Sequence, residues 1–258
     1  MIKANPNQYL RNIALKREIV PSFNDYPFCI PAIRNLHVLD LHPKVTYFVG
    51  DNGTGKSTLL EAIAVAVGFN PEGGSKNMGF STRDSHSGLY EYIRLCHGLN
   101  RPRDGFFLRA ESFYNVATEI EHIDSDLDNV ENNSGPPVSY SYGRTSLHEQ
   151  SHGEAFLSLL SKRFNGNGLY ILDEPEAALS PLRQLSVLSL MHDLIRNGSQ
   201  FIIVTHSPIL MAYPDASIYQ FSEDSISPIE YSETEHYTIT RDFLNRREAM
   251  LKVLLRED

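Results

Sequence analysis

The chain has 258 residues, 41 % of them hydrophobic, which is enough for one large α/β domain with a sizeable core. Acidic residues outnumber basic ones by 32 to 23, and the formal charge of −9 argues against a broad nucleic-acid-binding face, though not against a local basic patch. Cys29 and Cys96 are too few for a disulfide framework, no apolar run has membrane-spanning length and no signal-peptide core is visible, so a soluble, cytoplasmic protein is expected.

In chain order, Tyr9 to Val20 and Cys29 to Leu41 mix apolar and polar residues in strand-like alternation, with a Pro-rich turn, Pro21 to Pro27, between them. They predict antiparallel strands leading into the apolar run Val45 to Val49, itself a buried strand. Directly after it comes Gly50-Asp51-Asn52-Gly53-Thr54-Gly55-Lys56-Ser57-Thr58, which fills the pattern G-x-x-x-x-G-K-[ST] completely. Thr58 to Val67 then carries Leu59, Leu60, Ile63, Ala64 and Val67 at helical spacing, and Gly68 stops it. Strand, Gly-rich loop and helix together form a phosphate-binding loop. Its glycines let backbone N–H groups close around a phosphate, and the helix N-terminus adds positive potential there. Gly50, Asn52, Gly53, Thr54, Gly55, Lys56, Ser57 and Thr58 are therefore expected to hold a nucleoside triphosphate. In that arrangement Lys56 reaches the β- and γ-phosphates and the Ser57 hydroxyl holds Mg²⁺.

Pro71 to Gly88, rich in Gly, Ser and Asn, is expected to be a surface loop, and Gly105 to Ala110 a buried strand. Thr118 to Pro137 carries six carboxylates followed by Asn132-Asn133-Ser134-Gly135-Pro136-Pro137, a solvated helix end and flexible linker to which no chemistry attaches. Gln150-Ser151-His152-Gly153-Glu154 precedes a helix, Ala155 to Phe164, whose Phe156, Leu157, Leu160 and Phe164 share one face. A Ser and a bare Gly at that N-terminus make either a second anion site or an ordinary cap.

Leu169 to Leu172 is the next apolar strand and ends in Asp173-Glu174-Pro175. Ligands in open α/β sheets sit at the carboxyl ends of strands, where these two acids emerge. Asp173 suits the Mg²⁺ shell opposite Ser57, and Glu174 suits the polarisation of a water attacking the γ-phosphorus. Ser180-Pro181 opens a helix that runs to Asn197-Gly198. Phe201 to Val204 is another strand, and Thr205-His206-Ser207-Pro208 follows it, placing His206 within reach of the γ-phosphate. Ile218 to Phe221 and Ile229 to Tyr231 are expected as closing edge strands, and Arg241 to Arg256 as a C-terminal helix. Strands alternating with helices predict a mostly parallel sheet with helices on both faces, behind an N-terminal antiparallel β subdomain, all within one domain.

Gly50 to Thr58, Ser151-x-Gly153-Glu154, Asp173-Glu174-Pro175 and Thr205-His206 stand in the order and spacing of the ABC-type P-loop ATPases. Asn52 and the Ser-x-Gly-Glu signature resemble the SMC and RecF branch more than transporters. The text around Phe106 to Phe113, Ser151 to Glu154 and Glu174 to Pro181 is similar to small single-domain bacterial ATPases of the "AAA family". The resemblance implies an ATPase that binds ATP and Mg²⁺, with Glu174 and His206 catalytic beside Lys56. It implies a homodimer in which Ser151 and Gly153 contact the γ-phosphate on the partner's P-loop, with Ala178-Leu179-Ser180 as the D-loop. Ser180 stands where that family usually has Asp. No clean match exists for the Mg²⁺-shell Gln, and Glu111 is the positional candidate, with pairing to Arg109 as its other role. Tyr26 or Phe28 is the candidate for stacking on adenine. Only 40 residues separate Glu111 from Ser151, too few for a coiled-coil arm. A soluble ATPase acting on an effector protein or on DNA, in repair, genome maintenance or phage defence, is the expected function. The ATP-binding subunit of a membrane transporter is the alternative.

Overall fold

The structure, a computed structural model, describes residues 8–75, 87–110 and 152–255, and these build a three-stranded and a six-stranded sheet. The larger sheet contains β3 (Val45–Gly50), β5 (Asp104–Arg109), β6 (Gly168–Asp173), β7 (Gln200–Val204), β8 (Ser217–Phe221) and β9 (Ile226–Pro228). Their order is β5-β6-β7-β3-β8-β9, with every pairing parallel except β8 with β9. β3, β6 and β7 are buried on both faces, as a parallel sheet covered on both sides requires. Alternate residues divide cleanly between two cores. Val45, Tyr47, Phe106, Tyr170, Leu172, Phe201 and Ile203 face one core, under α4 (His152–Arg163) and α5 (Pro181–Arg196). Phe48, Phe107, Leu169, Ile171, Ile202 and Val204 face the other, where α2 (Lys56–Val67) packs.

The smaller sheet is antiparallel, in the order β2-β1-β4, from β1 (Leu10–Leu15), β2 (Val38–Asp40) and β4 (Ile93–His97). Buried Gln200 pins it to the larger sheet. Its Oε1 accepts from the backbone of Tyr9 and Leu10, and its Nε2 donates to the carbonyls of Leu10 and His42. A fully buried amide whose donors and acceptor are all used fixes the mutual register of two sheets far apart in sequence. Among the described residues no helix is long and apolar enough to cross a membrane.

Four local expectations are corrected. Cys29 to Leu41 is not one strand: α1 (Pro31–Arg34) interrupts it, and only β2 is extended. Pro31 stands at the first helical position after an extended Ile30, where its fixed φ favours a helical turn over a strand. Tyr9 to Val20 likewise keeps only β1 and then tightens into a 3-10 turn at Arg17–Ile19. The closing strand lies at Ile226–Pro228 rather than at 229–231, which makes β8 an interior strand, and only a single further bond, from the Ile229 N–H to the Ile218 carbonyl, continues the pairing beyond it. The C-terminal helix is two helices, α6 (Glu235–Asn245) and α7 (Arg247–Leu254), broken where Arg246 takes φ −129° and ψ 32°. A short helix α3 (Leu89–Tyr92) leads into β4. The acidic segment near 118–140 lies outside the described residues.

Phe106 tests the first core. Its ring is fully buried and lies 5.7 Å from that of Phe164, which stacks flat on Tyr170 at 4.0 Å. Phe106→Ala should cost about 3–5 kcal/mol by lost transfer and an unfilled cavity, read from the shift in urea midpoint. A loss under about 1 kcal/mol would mean that this core is not packed as described.

Candidate functional site

The site begins at the carboxyl end of β3, in the middle of the parallel sheet. Gly50 takes φ +134°, and a Cβ there would fall 2.2 Å from the carbonyl oxygen of Phe221 on β8, so the strand leaves the sheet through a residue that must be glycine. Gly53 and Gly55, at φ +82° and +94°, turn the chain back into the N-terminus of α2. The first N–H groups of that helix have no intrahelical partner and face the concavity the loop encloses. Lys56 is buried, and its ammonium donates to the carbonyls of Gly50 at 2.8 Å and Asp51 at 2.7 Å, spanning the loop. Burial lowers its pKa, against the raising influence of the carboxylates of Glu174, Asp173 and Asp51. Thr54 Oγ1 donates to the Asp51 carbonyl and helps hold the turn.

Two strands away, β6 delivers Asp173. The Ser57 hydroxyl donates to Asp173 Oδ1 at 2.9 Å, so a hydroxyl and a carboxylate from separate elements share one corner. Hard oxygen donors of this kind fit Mg²⁺, which is commonly held by one or two carboxylates together with substrate phosphates. Among the described residues no group of three or more His, Cys, Asp and Glu is placed to hold a metal. Arg109, at the end of β5, donates to Glu61 Oε2 at 2.6 Å, and its Nε lies 3.7 Å from Asp173 Oδ2. A cleft of about 400 Å³ opens between Ser57, Arg109, Asp173, Glu174 and Ala178.

Glu174 has φ 49° and ψ 52°, a left-handed conformation that costs a non-glycine residue about 1 kcal/mol or more. Its N–H donates to the Val204 carbonyl at the end of β7, which fixes this kink between adjacent strand ends. The carboxylate then lies 3.4 Å from His206 Nε2. His206 is anchored through its own N–H, which donates to Glu176 Oε1. Burial raises the pKa of Glu176, partly offset by that same amide.

Gly153, in the first turn of α4, has a different surrounding. A Cβ there would meet Arg183 Nη1 at 2.4 Å and the Ala178 carbonyl at 2.8 Å, so the bare glycine lets the helix start press against the Ala178-Leu179-Ser180 segment. Ser180 stands at the N-cap of α5 with extended backbone, and its hydroxyl makes no capping hydrogen bond. Gln184 bridges from there to the histidine loop. Its Nε2 donates to the Leu179 carbonyl, and its Oε1 accepts from Ser207 Oγ at 2.5 Å.

The structure thus brings together the loop from Gly50 to Thr58 with Asp173, Glu174 and His206, and sets Gly153 against Ala178 and Arg183. Ser151 and Glu111 lie outside the described residues. Phe28 is core, buried edge-on against Tyr92, whereas Tyr26 is 66 % exposed. Sequence reasoning missed Glu61, Glu176, Gln184 and His236, and saw Arg109 only as a partner for Glu111. For Glu61 there was a signal: it follows Ser57 by four positions, on the same face of α2.

Family comparisons agree with this geometry. A family model described as "AAA domain" matches residues 26–168, and a second AAA-domain model, whose description names AbiEii toxin and a Type IV TA system, matches residues 155–212. The energy-coupling factor transporter ATP-binding protein EcfA1 of Fusobacterium nucleatum is 27 % identical over 164 residues, 62 % of this chain and 61 % of that protein. The chromosome partition protein Smc of Methanocaldococcus jannaschii is 26 % identical over 160 residues, 54 % of this chain and 13 % of that protein. The chain therefore spans less than two thirds of the length of these curated relatives. The SMC head domain from Thermotoga maritima superposes with a TM-score of 0.45 at 16 % identity, covering 86 % of this chain and all of that one.

Proposed function

The chain belongs to the AAA-domain family, and from that premise we propose that it is an ABC-type ATPase that binds Mg–ATP, hydrolyses it and pairs with a second copy around two nucleotides. The observation that carries this reading is the convergence of three strand ends on one loop, with Ser57 2.9 Å from Asp173 and Glu174 3.4 Å from His206. The loop's N–H groups and the α2 N-terminus bind the phosphates. Lys56 exchanges its bonds to Gly50 and Asp51 for β- and γ-phosphate oxygens. Mg²⁺, when bound, neutralises charge on the β- and γ-phosphates. Ser57 and Asp173 hold that ion, and Glu111 is proposed as a further donor. Glu174 orients the attacking water and takes its proton, while His206 donates from Nε2 to the γ-phosphate. Tyr26 stacks on the adenine.

Ser151 and Gly153 act in trans on the γ-phosphate bound by the partner. The Gln184 bridge supports coupling, because it bonds the Leu179 segment to the loop that carries His206. The energy of closure and release is delivered in the cytoplasm to an effector protein or to DNA, in repair, genome maintenance or phage defence.

Release of phosphate from Mg–ATP tests the reading as a whole, and Ser151→Arg tests its dimeric part. That variant leaves its own P-loop intact, so it should bind ATP as the parent does while losing dimerisation and at least about 99 % of turnover. Parental turnover would reduce Ser151 to a helix cap. A transporter subunit is the competing reading, favoured by the name of the relative from Fusobacterium nucleatum. Stoichiometric copurification with a polytopic membrane protein would put it first.

A further inference from the structure

The polypeptide does not leave the site after His206. Tyr231 donates from its hydroxyl to the Pro208 carbonyl, and buried Thr234, the residue before α6, donates to the Tyr231 carbonyl. These bonds lay the first turn of α6 over the carboxyl end of β7. They bring His236 Nε2 to 2.8 Å from His206 Nδ1, with the rings at 60° and their centroids 4.9 Å apart. His206 is then held on two sides, its backbone N–H by Glu176 and its Nδ1 by His236. Its remaining nitrogen, Nε2, faces Glu174.

We propose that His236 is a positioning residue for the reaction: its Nε2–H donates to His206 Nδ1 and so keeps the proton of neutral His206 on Nε2, aimed at Glu174 and the γ-phosphate. Only one proton fits between the two nitrogens, and which ring owns it decides what His206 can do, since the bond made at one ring nitrogen sets the tautomer at the other. Two orphan atoms choose between the alternatives. His206 Nε2 and His236 Nδ1 are both buried and make no hydrogen bond among the described residues, the Glu174 carboxylate lying at ion-pair distance outside hydrogen-bonding geometry. If His206 donated from Nδ1, its bare Nε2 lone pair would face a carboxylate, and His236 would bury an N–H at Nδ1 with no acceptor. With His236 as donor, His206 presents N–H to the carboxylate and His236 buries only a lone pair, the less costly orphan. Burial lowers the pKa of His236, helped by His206 and Lys56 and opposed by Glu235 and Asp51, which keeps that ring neutral with a single N–H.

This role rests on the proposed hydrolysis at Glu174, so its test includes a readout that needs no turnover. His236→Phe keeps a ring of similar shape without a donor, and His236→Gln restores an N–H near the position of Nε2. In the Phe variant kcat should fall about 10-fold to 100-fold, the scale of a misplaced reacting group. KM should move by less than about threefold, since His236 touches no substrate. The Gln variant should recover most of the loss. In nucleotide-free parent protein, ¹⁵N-labelled histidine should show His206 as the Nε2–H tautomer, and the Phe variant should mix in the Nδ1–H form. A parent spectrum with His206 protonated on Nδ1 overturns the proposal, as does a Phe variant with parental kcat. A parent without ATPase activity would sink the hydrolysis reading, while the spectrum alone still decides the tautomer. Should the Phe variant fail to fold, the parent spectrum and the Gln variant carry the decision.

Discussion

Lys56→Ala is expected to abolish tight binding of Mg–ATP, the largest effect on affinity of any single change in this chain. Around the loop stand the carboxylates of Asp51, Asp173 and Glu174, all close enough to influence the lysine's own ionisation. A triphosphate entering without the ammonium would meet three like charges and have no positioned cation of the loop to offset them. A hydrogen bond to a charged group contributes about 1.5–3 kcal/mol. Losing the lysine's contacts to two phosphates therefore corresponds to roughly two to four orders of magnitude in affinity. The fold should survive, because among the described residues Lys56 bonds to carbonyls of its own loop and its ammonium is itself disfavoured by burial. Calorimetric titration with Mg–ATP reads the affinity, and an unchanged melting temperature excludes misfolding as the cause. Parental affinity in this variant would overturn the phosphate-binding role of the loop.

Much of this site was legible in the sequence because its parts obey local rules. Gly50, Gly53 and Gly55 mark a backbone that needs positive φ, and the apolar runs ending at Asp173 and Thr205 mark strand ends where ligands gather. Such features depend on near neighbours in the chain. What escaped depends on distant ones. His236 meets His206 across 30 residues, and Arg109 meets Glu61 across 48, pairings that no periodicity encodes. The same limit explains the fold. The central strands were plain because both of their faces are buried, so apolar residues dominate them despite Thr46, Asp173 and Gln200. The smaller sheet was blurred because its strands are short and mixed, and Pro31 could open a helix inside a pattern that alternates like a strand. The break at Arg246 left no sign, since no glycine or proline marks it and α6 and α7 continue a similar apolar spacing.

Glu174→Gln should separate binding from chemistry. The substitution keeps side-chain length, and the unusual φ of 49° is maintained by the N–H bond to Val204, which the amide side chain leaves intact. The amide oxygen keeps a polar atom facing His206 Nε2, which lies 3.4 Å from the carboxylate in the parent. What it cannot do is take a proton from water. General-base catalysis contributes about 10²–10⁴-fold, so turnover should fall by that factor while Mg–ATP affinity stays within about threefold of the parent. Affinity could even rise slightly, because one of the three carboxylates opposing the phosphates becomes neutral. If two copies close around two nucleotides, blocking hydrolysis traps the closed state. Gel filtration with light scattering should then show an ATP-dependent dimer that ADP does not produce. Normal turnover would move Glu174 out of the base role and leave its strained backbone serving only to shape the cleft. Slow turnover without a dimer would keep the base and remove the composite site, returning the whole reaction to one chain.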